Sequence, residues 1–387
     1  MAERLSPRVL LETLVGFPTV SSVSNLDLVD WVQSYLEDHG ITVHRHYDET
    51  GEKAAIFAHV GPDEEGGVVL SGHTDVVPVE GQPWDTDPFK VIEKDGRLYG
   101  RGTCDMKGFD ALAIWALVEA QHSDLKRPLQ LALSYDEEIG CISAPAMIEA
   151  MQEVLPKANA VIVGEPSMMK AVTGHKGTAS YQIHLRGFEI HSSMLHKGVS
   201  AIMSGVKLIE WANVKNAEGQ VAEPTEMASV FGPPFTTTHV GMIEGGVAHN
   251  ITAKDCKFEL EFRTVPSDSM AEWQAEFLQK VAEVQSEMQS VVSETGIDLV
   301  EGFNVPALAP EADGEAEALV RRLTGDNSTN VVSYATEGGQ FQEAGYSTVV
   351  CGPGDIARAH QPNEYLEVSQ LEAGQAFMQK LVSDLAR

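Results

Sequence analysis

The chain has 387 residues, 43% of them hydrophobic, and carries a formal net charge of −30. This length predicts about two globular domains, and the sequence contains no apolar run of about 18 residues that would span a membrane. The acidic balance argues against nucleic acid and anionic membranes as partners, because both are bound by basic patches. The start of the sequence lacks the features of a signal peptide, and its four cysteines form no Cys-x-x-Cys pair. We therefore expect a cytoplasmic protein with reduced thiols.

The first part of the chain alternates between helical and extended patterns. Helices are predicted at 7–15, 25–39, 109–121 and 143–155, and strands at 54–60, 67–73, 129–135 and 160–164. Strands that alternate with helices favour an α/β fold, in which a mostly parallel sheet carries helices on both faces.

After about residue 176 the pattern changes, because the segment 178–187 alternates polar and apolar residues as a half-exposed strand does. It is followed by a helix near 199–213, strands at 238–246 and 257–265, a helix at 268–292 and a strand at 297–303. This order is typical of a ferredoxin-like α+β domain. The α/β pattern then returns with a helix at 313–324, a strand at 347–352 and a helix at 366–385. We predict a discontinuous domain at 1–177 and 303–387, with a second domain at 178–302 inserted into it.

Acidic and histidine side chains follow the strands of the predicted parallel sheet, at the carboxyl edge where open α/β sheets bind ligands. The candidates are His73, Asp105, Glu138, Glu165 and His360. Two imidazoles and three carboxylates suit a pair of divalent ions, with zinc expected and cobalt or manganese as alternatives. Such a pair needs a bridging carboxylate, which we assign to Asp105, and a bridging water. One ion would also bind His73 and Glu165. The other would bind Glu138 and His360.

Two further acids lie beside these candidates. Asp75 follows His73 by two residues, a spacing that points both side chains to one face, so Asp75 is expected to orient the imidazole. Glu137 precedes Glu138 and is expected to point elsewhere, where it would act as the general base and then the general acid. Each residue by itself is more often structural, and the acidic doublet by itself suggests a solvated turn. Burying both acids without a cation would be costly, however, so their position at this edge favours a metal site.

Five segments, in this order, resemble motifs of the M20 family of metallopeptidases and deacylases. They are SGHTDVVPV (71–79), YGRGTCDMKG (99–108), SYDEEIGC (134–141), VGEPS (163–167) and AHQPNE (359–364). The similarity covers nearly the whole chain. Within the family, the acetylornithine deacetylase branch is the most similar, through HKG (175–177), TEGGQF (336–341) and CGPGDIARAHQPNE (351–364).

The resemblance implies the same five metal ligands, with Asp75 orienting His73 and Glu137 as the catalytic base. It also implies that the inserted domain is a lid through which the protein forms a homodimer. His191, in RGFEIHSSM, would reach the partner subunit's active site and stabilise the oxyanion. Asn250 and Arg263 match positions that contact substrate. The chain departs from its relatives at Leu195, where they commonly have proline.

These observations predict a metal-dependent amide hydrolase that removes an N-acyl group from an amino acid such as N2-acetylornithine, in arginine biosynthesis. The alternatives within the family are a succinyl-diaminopimelate desuccinylase, a dipeptidase and an aminoacylase. A non-catalytic metal-binding protein is disfavoured, because every expected position is filled. A serine or cysteine acyl-hydrolase is disfavoured because the sequence contains no G-x-S-x-G motif.

Overall fold

The computed structural model describes residues 3–21 and 23–387, which form two compact units. The larger unit comprises the residues up to Gly174 together with Leu308–Val331 and Thr336–Arg387. The smaller unit comprises His175–Ala307 and Val332–Ala335. Among these described residues, every helix is too short or too polar to serve as a membrane span.

The structure contains every helix and strand predicted from the sequence pattern. The helices are α1 (Pro7–Val15), α2 (Leu26–Asp38), α3 (Lys107–Gln121), α4 (Ala144–Val154), α5 (Ala201–Val221), α6 (Met270–Val291), α7 (Glu315–Thr324), α8 (Gly338–Glu343) and α9 (Val368–Leu385). The strands are β1 (Val43–Tyr47), β2 (Ala54–Val60), β3 (Val68–His73), β4 (Ile92–Lys94), β5 (Arg97–Tyr99), β6 (Leu129–Ser134), β7 (Ala160–Pro166), β8 (Val172–His175), β9 (Gly177–Arg186), β10 (Thr237–Gly245), β11 (Asp255–Thr264), β12 (Gly296–Val305), β13 (Asn330–Val332), β14 (Ser347–Gly352) and β15 (Tyr365–Glu367). Short or half-exposed elements such as β1, β4, β13 and α8 were not predicted, because they carry too few residues for a clear periodicity.

The main sheet has the strand order β1-β2-β6-β3-β7-β14-β8-β13. Its four central strands are parallel, whereas β1, β2 and β8 pair antiparallel with their neighbours. Every residue of β3, β6 and β7 is buried, as expected for parallel strands covered on both faces. The predicted α/β fold class is confirmed, with antiparallel strands added at both sides of the parallel centre.

The register of the central strands aligns their carboxyl ends. His73 at the end of β3 pairs with Ser134 at the end of β6. On the other side of β3, Ser71 pairs with Val163, so that Glu165 in β7 comes level with His73. The loops that follow these strands therefore begin at the same edge of the sheet.

Helix α3 fixes one more segment at this edge. It packs against α1, α9 and the central strands, and its apolar residues, such as Leu112, Ile114 and Leu117, are fully buried. Because α3 begins at Lys107, the turn before it places Asp105 beside the ends of the strands.

The smaller unit is built on the antiparallel sheet β10-β11-β9-β12. Helix α5 joins β9 to β10 and helix α6 joins β11 to β12, which is the predicted ferredoxin-like order. Alternate residues of β11 are buried, and its phenylalanines Phe258 and Phe262 pack with Phe277 of α6 in the core of this unit. The role of this unit as a lid and dimerisation domain stays a prediction.

Candidate active site

The larger unit brings all five predicted metal ligands to one edge of its sheet. His73 ends β3, and Glu165 is the penultimate residue of β7. The other three lie in loops that follow strands β5, β6 and β14: Asp105, Glu138 and His360.

Asp105 lies between the two histidines. Its Oδ1 is 3.2 Å from His73 Nε2, and its Oδ2 is 3.2 Å from His360 Nε2. His73 Nε2 is also 3.5 Å from Glu165 Oε1, and His360 Nε2 is 2.8 Å from Glu138 Oε2. The two oxygens of Asp105 thus face different imidazoles, and each imidazole has one further carboxylate beside it. This arrangement suits a carboxylate that bridges two cations.

The donor atoms of these side chains are close enough to share a cation, and without one they are poorly paired with one another. The ligand atoms of His73, Asp105 and Glu138 all lie within 4.8 Å of one another, as do those of His73, Glu137 and Glu165. The second carboxylate oxygen of Glu138 is buried without a hydrogen-bond partner. Burial, together with the charge of Asp105, raises the pKa of Glu138 and the pKa of Glu165 to about 7. Crowded buried acids of this kind are stabilised by a divalent ion.

The same acids also raise the pKa values of the two histidines, which favours the charged imidazolium. Hydrogen bonds to Asp105 and Glu138 raise the pKa of His360 to about 11. Burial alone would lower the pKa of His73, but hydrogen bonds to Asp105 and Asp75 raise it well above its ordinary value. Because a metal binds the neutral imidazole, the binding of a cation at this site must displace protons.

Asp75 connects His73 with the turn that carries Glu137 and Glu138. His73 Nδ1 is 2.9 Å from the backbone carbonyl oxygen of Asp75 and 3.4 Å from its Oδ1, so the nearer partner is the carbonyl and not the expected carboxylate. The carboxylate instead accepts hydrogen bonds from the backbone N–H groups of Glu137 and Glu138, at 3.1 and 3.3 Å. The Ser21 hydroxyl donates a third bond at 2.7 Å. Asp75 therefore fixes the turn as well as the imidazole.

Glu137 was expected to point elsewhere than the adjacent Glu138, and the two side chains do diverge, because Glu138 faces His360 whereas Glu137 lies beside His73 and Glu165. Its Oε2 lies 3.9 Å from His73 Nε2, and its Oε1 accepts a hydrogen bond from the Cys141 thiol at 3.2 Å. Both directions are set by a turn, in which Asp136 has a φ of +57° and neighbouring side chains do not simply alternate as in a strand. Burial and the charge of Glu165 raise the pKa of Glu137 well above its ordinary value. A raised pKa suits a carboxyl group that accepts a proton and later donates it.

Two buried charged residues near the site were missed by the sequence interpretation. Glu337, in the TEGGQF segment, is buried, accepts a hydrogen bond from Ser71 Oγ at 3.2 Å, and has its pKa raised to about 7 by burial. Lys107 at the start of α3 donates hydrogen bonds to the carbonyl oxygens of Leu14 and Phe17, at 3.0 and 2.7 Å. Their partners lie 266, 93 and 90 residues away in the sequence, and no local pattern indicates such pairs.

The three remaining candidates belong to the smaller unit. His191 precedes the short 3₁₀ helix Ser192–Lys197, and its exposed imidazole Nδ1 lies 2.8 Å from Ser193 Oγ. The next residue, Ser192, donates a backbone hydrogen bond to Asn250, so His191 and Asn250 lie on adjacent loops. Arg263 lies on β11 and forms an ion pair with Glu261. The roles of these three residues in substrate binding and oxyanion stabilisation stay predictions.

A family model described as peptidase family M20/M25/M40 matches residues 69–384. The chain belongs to this family and is a metal-dependent hydrolase of the peptidase and deacylase class. Over 388 aligned residues it is 34% identical to acetylornithine deacetylase of Myxococcus xanthus, with 97% of this chain and 96% of the relative covered. The expected family and enzyme class are thereby confirmed.

Solved structures with low sequence identity share the fold. An M20 family metallo-carboxypeptidase from Sulfolobus solfataricus has a TM-score of 0.79 at 16% identity, with 100% of both chains covered. A dinuclear metal-binding peptidase of the M20 family from Bacillus subtilis has a TM-score of 0.63 at 14% identity, covering 98% of this chain and 97% of the other.

Proposed function

We propose that this chain is a deacylase that removes the acetyl group from N2-acetylornithine, in arginine biosynthesis, with the help of two divalent metal ions. Near full-length similarity to acetylornithine deacetylase supports the substrate. The observation that carries the proposal is the position of Asp105 between His73 and His360, with Glu137 beside them.

In this proposal His73 and Glu165 would hold one ion, Glu138 and His360 would hold the other, and Asp105 would be a ligand of both. Zinc suits this set of imidazole and carboxylate donors, with cobalt or manganese as alternatives. When bound, such ions polarise an acyl carbonyl and lower the pKa of the attacking water. The relative from Bacillus subtilis, described as a dinuclear metal-binding peptidase, supports the number of ions.

Glu137 transfers the proton. It takes the proton from the attacking water and delivers it to the leaving amino nitrogen as the tetrahedral intermediate collapses. Its burial within the acid cluster and its raised pKa support this double role. Asp75 keeps Glu137 in reach, because its carboxylate holds the Glu137 backbone N–H.

The smaller unit completes the site in a homodimer. His191 of the partner subunit donates a hydrogen bond to the developing oxyanion. The guanidinium of Arg263 and the amide of Asn250 bind the substrate, since an arginine fork suits an α-carboxylate. The exposed position of the His191 side chain supports a role toward another molecule.

A substrate comparison on metal-reconstituted protein tests the proposed reaction. N2-acetylornithine, N-succinyl-diaminopimelate, N-acetylmethionine and a dipeptide are assayed side by side for release of the free amine. We expect the highest kcat/KM with N2-acetylornithine. A higher value for one of the other three would contradict the substrate assignment and identify the alternative M20 activity.

Glu137→Gln tests the mechanism. We expect kcat to fall by about 10²–10⁴-fold, the usual contribution of a general acid–base group, with the metal content unchanged. Asp136→Asn is the matched control, because Asp136 lies on the same turn but forms its ion pair with Lys53 at 2.6 Å. Wild-type turnover by Glu137→Gln with both ions bound would show that another group moves the proton.

A further inference from the structure

A buried ion pair joins the turn that carries Asp105 to the loop that carries His360. Arg101 and Glu364 are each only 1% exposed, and Arg101 Nη1 lies 2.7 Å from Glu364 Oε2. The other oxygen of Glu364 accepts hydrogen bonds from the backbone N–H groups of Cys104 and Asp105, at 2.8 and 3.1 Å. Glu364 therefore holds the backbone of the proposed bridging ligand without touching its carboxylate.

Arg101 extends the connection to the backbone of His360. Its Nη2 donates a hydrogen bond to Gln82 Oε1 at 2.5 Å, and Gln82 Nε2 donates to the carbonyl oxygen of His360 at 3.0 Å. Arg101 Nη1 also donates to the carbonyl oxygen of Gln361 at 3.4 Å. The side chains of Arg101, Gln82 and Glu364 thus connect the turn at 100–105, which carries Asp105, with the loop at 360–364, which carries His360.

His360 needs such support more than His73 does. It lies in a loop, has a left-handed φ of +61°, and its side chain is 54% exposed. His73 ends a fully buried strand that is hydrogen-bonded on both sides. The strand register fixes the backbone of His73, whereas the position of His360 relative to Asp105 depends on contacts between distant loops.

We infer that Glu364 and Arg101 are positioning residues that set the separation of Asp105 and His360, and so determine whether the second metal ion binds. The inference rests on the proposed function, because it assumes two ions. A merely structural ion pair would affect the stability of the whole fold, and both ions would then respond alike. A positioning pair weakens the ion at His360 more than the ion at His73, because both ions share Asp105 but only His360 lies on the loop that the pair holds.

Metal titration of the metal-free chain by calorimetry, with zinc as the probe, separates these roles. In Glu364→Gln, one acceptor oxygen remains for the two backbone N–H groups, but the charge opposite Arg101 is lost. We expect the second ion to bind about 10–100-fold more weakly, as is usual when a residue that supports a ligand is removed. The first ion, which shares Asp105 but keeps His73 and Glu165, should be weakened less. Hydrogen exchange in the metal-free variant should accelerate at residues 359–364 and stay unchanged in β3.

Glu311→Gln is the matched control. The Glu311 carboxylate also accepts a backbone hydrogen bond in the larger unit, from Thr348 at 3.0 Å, and a bond from Ser347 Oγ at 2.7 Å, but it lies outside the metal cluster. We expect it to bind both ions as wild type does. Gln82→Ala removes the connection from Arg101 to the His360 carbonyl and a bond from Trp84 Nε1, but leaves Glu364 on the backbone of Asp105. It should weaken the second ion alone, and it decides the matter if Glu364→Gln fails to fold.

Equal weakening of both ions, or no weakening of either, in a folded Glu364→Gln or Gln82→Ala variant would overturn the inference. Wild-type protein that binds fewer than two ions would instead contradict the proposed function on which the inference rests. The two failures are distinguishable, because the first appears in the variants only and the second appears already in the unmodified chain.

Discussion

The two sides of the acid cluster are built in different ways. On the buried side, His73 and Glu165 belong to adjacent parallel strands, and the His73 side chain is 1% exposed. On the other side, Glu138 and His360 lie on loops; the Glu138 side chain is buried, but more than half of the His360 side chain is accessible. The comparison teaches that backbone hydrogen bonds of the sheet position one half of this site, whereas side-chain contacts between distant loops position the other.

Substitution of each histidine should test this contrast between the two sides most clearly. His73→Ala removes the partner of three buried carboxylates, so we expect the metal-free chain to lose about 3–5 kcal/mol of unfolding free energy, as when one partner of a buried ion pair is removed. His360→Ala should cost at most about 1 kcal/mol, because its side chain is half exposed and its ion pairs are weakened by solvent. Urea unfolding followed by circular dichroism measures both values. Similar losses in the two variants would contradict the contrast between the two sides.

The pH dependence of the unfolding free energy and of metal affinity gives a second test, because it differs between metal-free and metal-loaded chains. The pKa values of Glu138 and Glu165 rise to about 7 and that of His360 to about 11, above their unfolded values of 4.5 and 6.5. The folded chain thus holds protons that the unfolded chain releases, and this stabilisation declines as the pH rises above 4.5.

We therefore expect the unfolding free energy of the metal-free chain to fall between pH 5 and pH 8. Metal affinity should rise over the same interval, by about tenfold per pH unit for each proton displaced. Urea unfolding and calorimetry at several pH values measure the two trends. A metal-free chain that gains stability toward pH 8 would show that the cluster does not hold these protons.

The Asp75 carboxylate belongs to both sides of the cluster, since its Oδ1 lies 3.4 Å from His73 Nδ1 and its Oδ2 accepts a hydrogen bond from the backbone of Glu138. Asp75→Asn should weaken both ions by a similar factor of about 10–100-fold, in contrast to the unequal effect expected for Glu364→Gln. Metal titration measures the two affinities. An effect limited to one ion would mean that Asp75 supports only one of the two sides.

Ser21→Ala should have the smallest effect. It removes one hydrogen bond to Asp75, while the two backbone N–H donors remain. We expect a loss of about 1 kcal/mol in unfolding free energy and unchanged metal stoichiometry. Chemical unfolding and metal analysis check this result, and loss of either ion would show that Ser21 is needed to orient Asp75.

The contrast between the two sides also explains what was predictable from the sequence. The apolar runs of β3, β6 and β7 predict buried parallel strands, and His73 and Glu165 follow directly from where those runs end. Loop residues such as His360 were candidates because they follow strands that end at the same edge of the sheet and because they match family motifs.

Side-chain directions and long-range partners were not predictable. The direction of Glu137 depends on a turn with a left-handed residue, and Arg101 reaches Glu364 across 263 residues of sequence. Neither leaves a periodic pattern, because a turn conformation and a distant contact are set by the completed tertiary structure.

The aligned ends of the central strands limit how the length of this chain can vary. A single residue added within β3 would reverse the facing of every later side chain in the strand and turn His73 away from Asp105. Additions at the opposite end of the strand avoid this, because residues 63–65 are exposed and precede β3. An affinity tag or a fluorescent reporter inserted there would leave the chemistry at the carboxyl edge undisturbed.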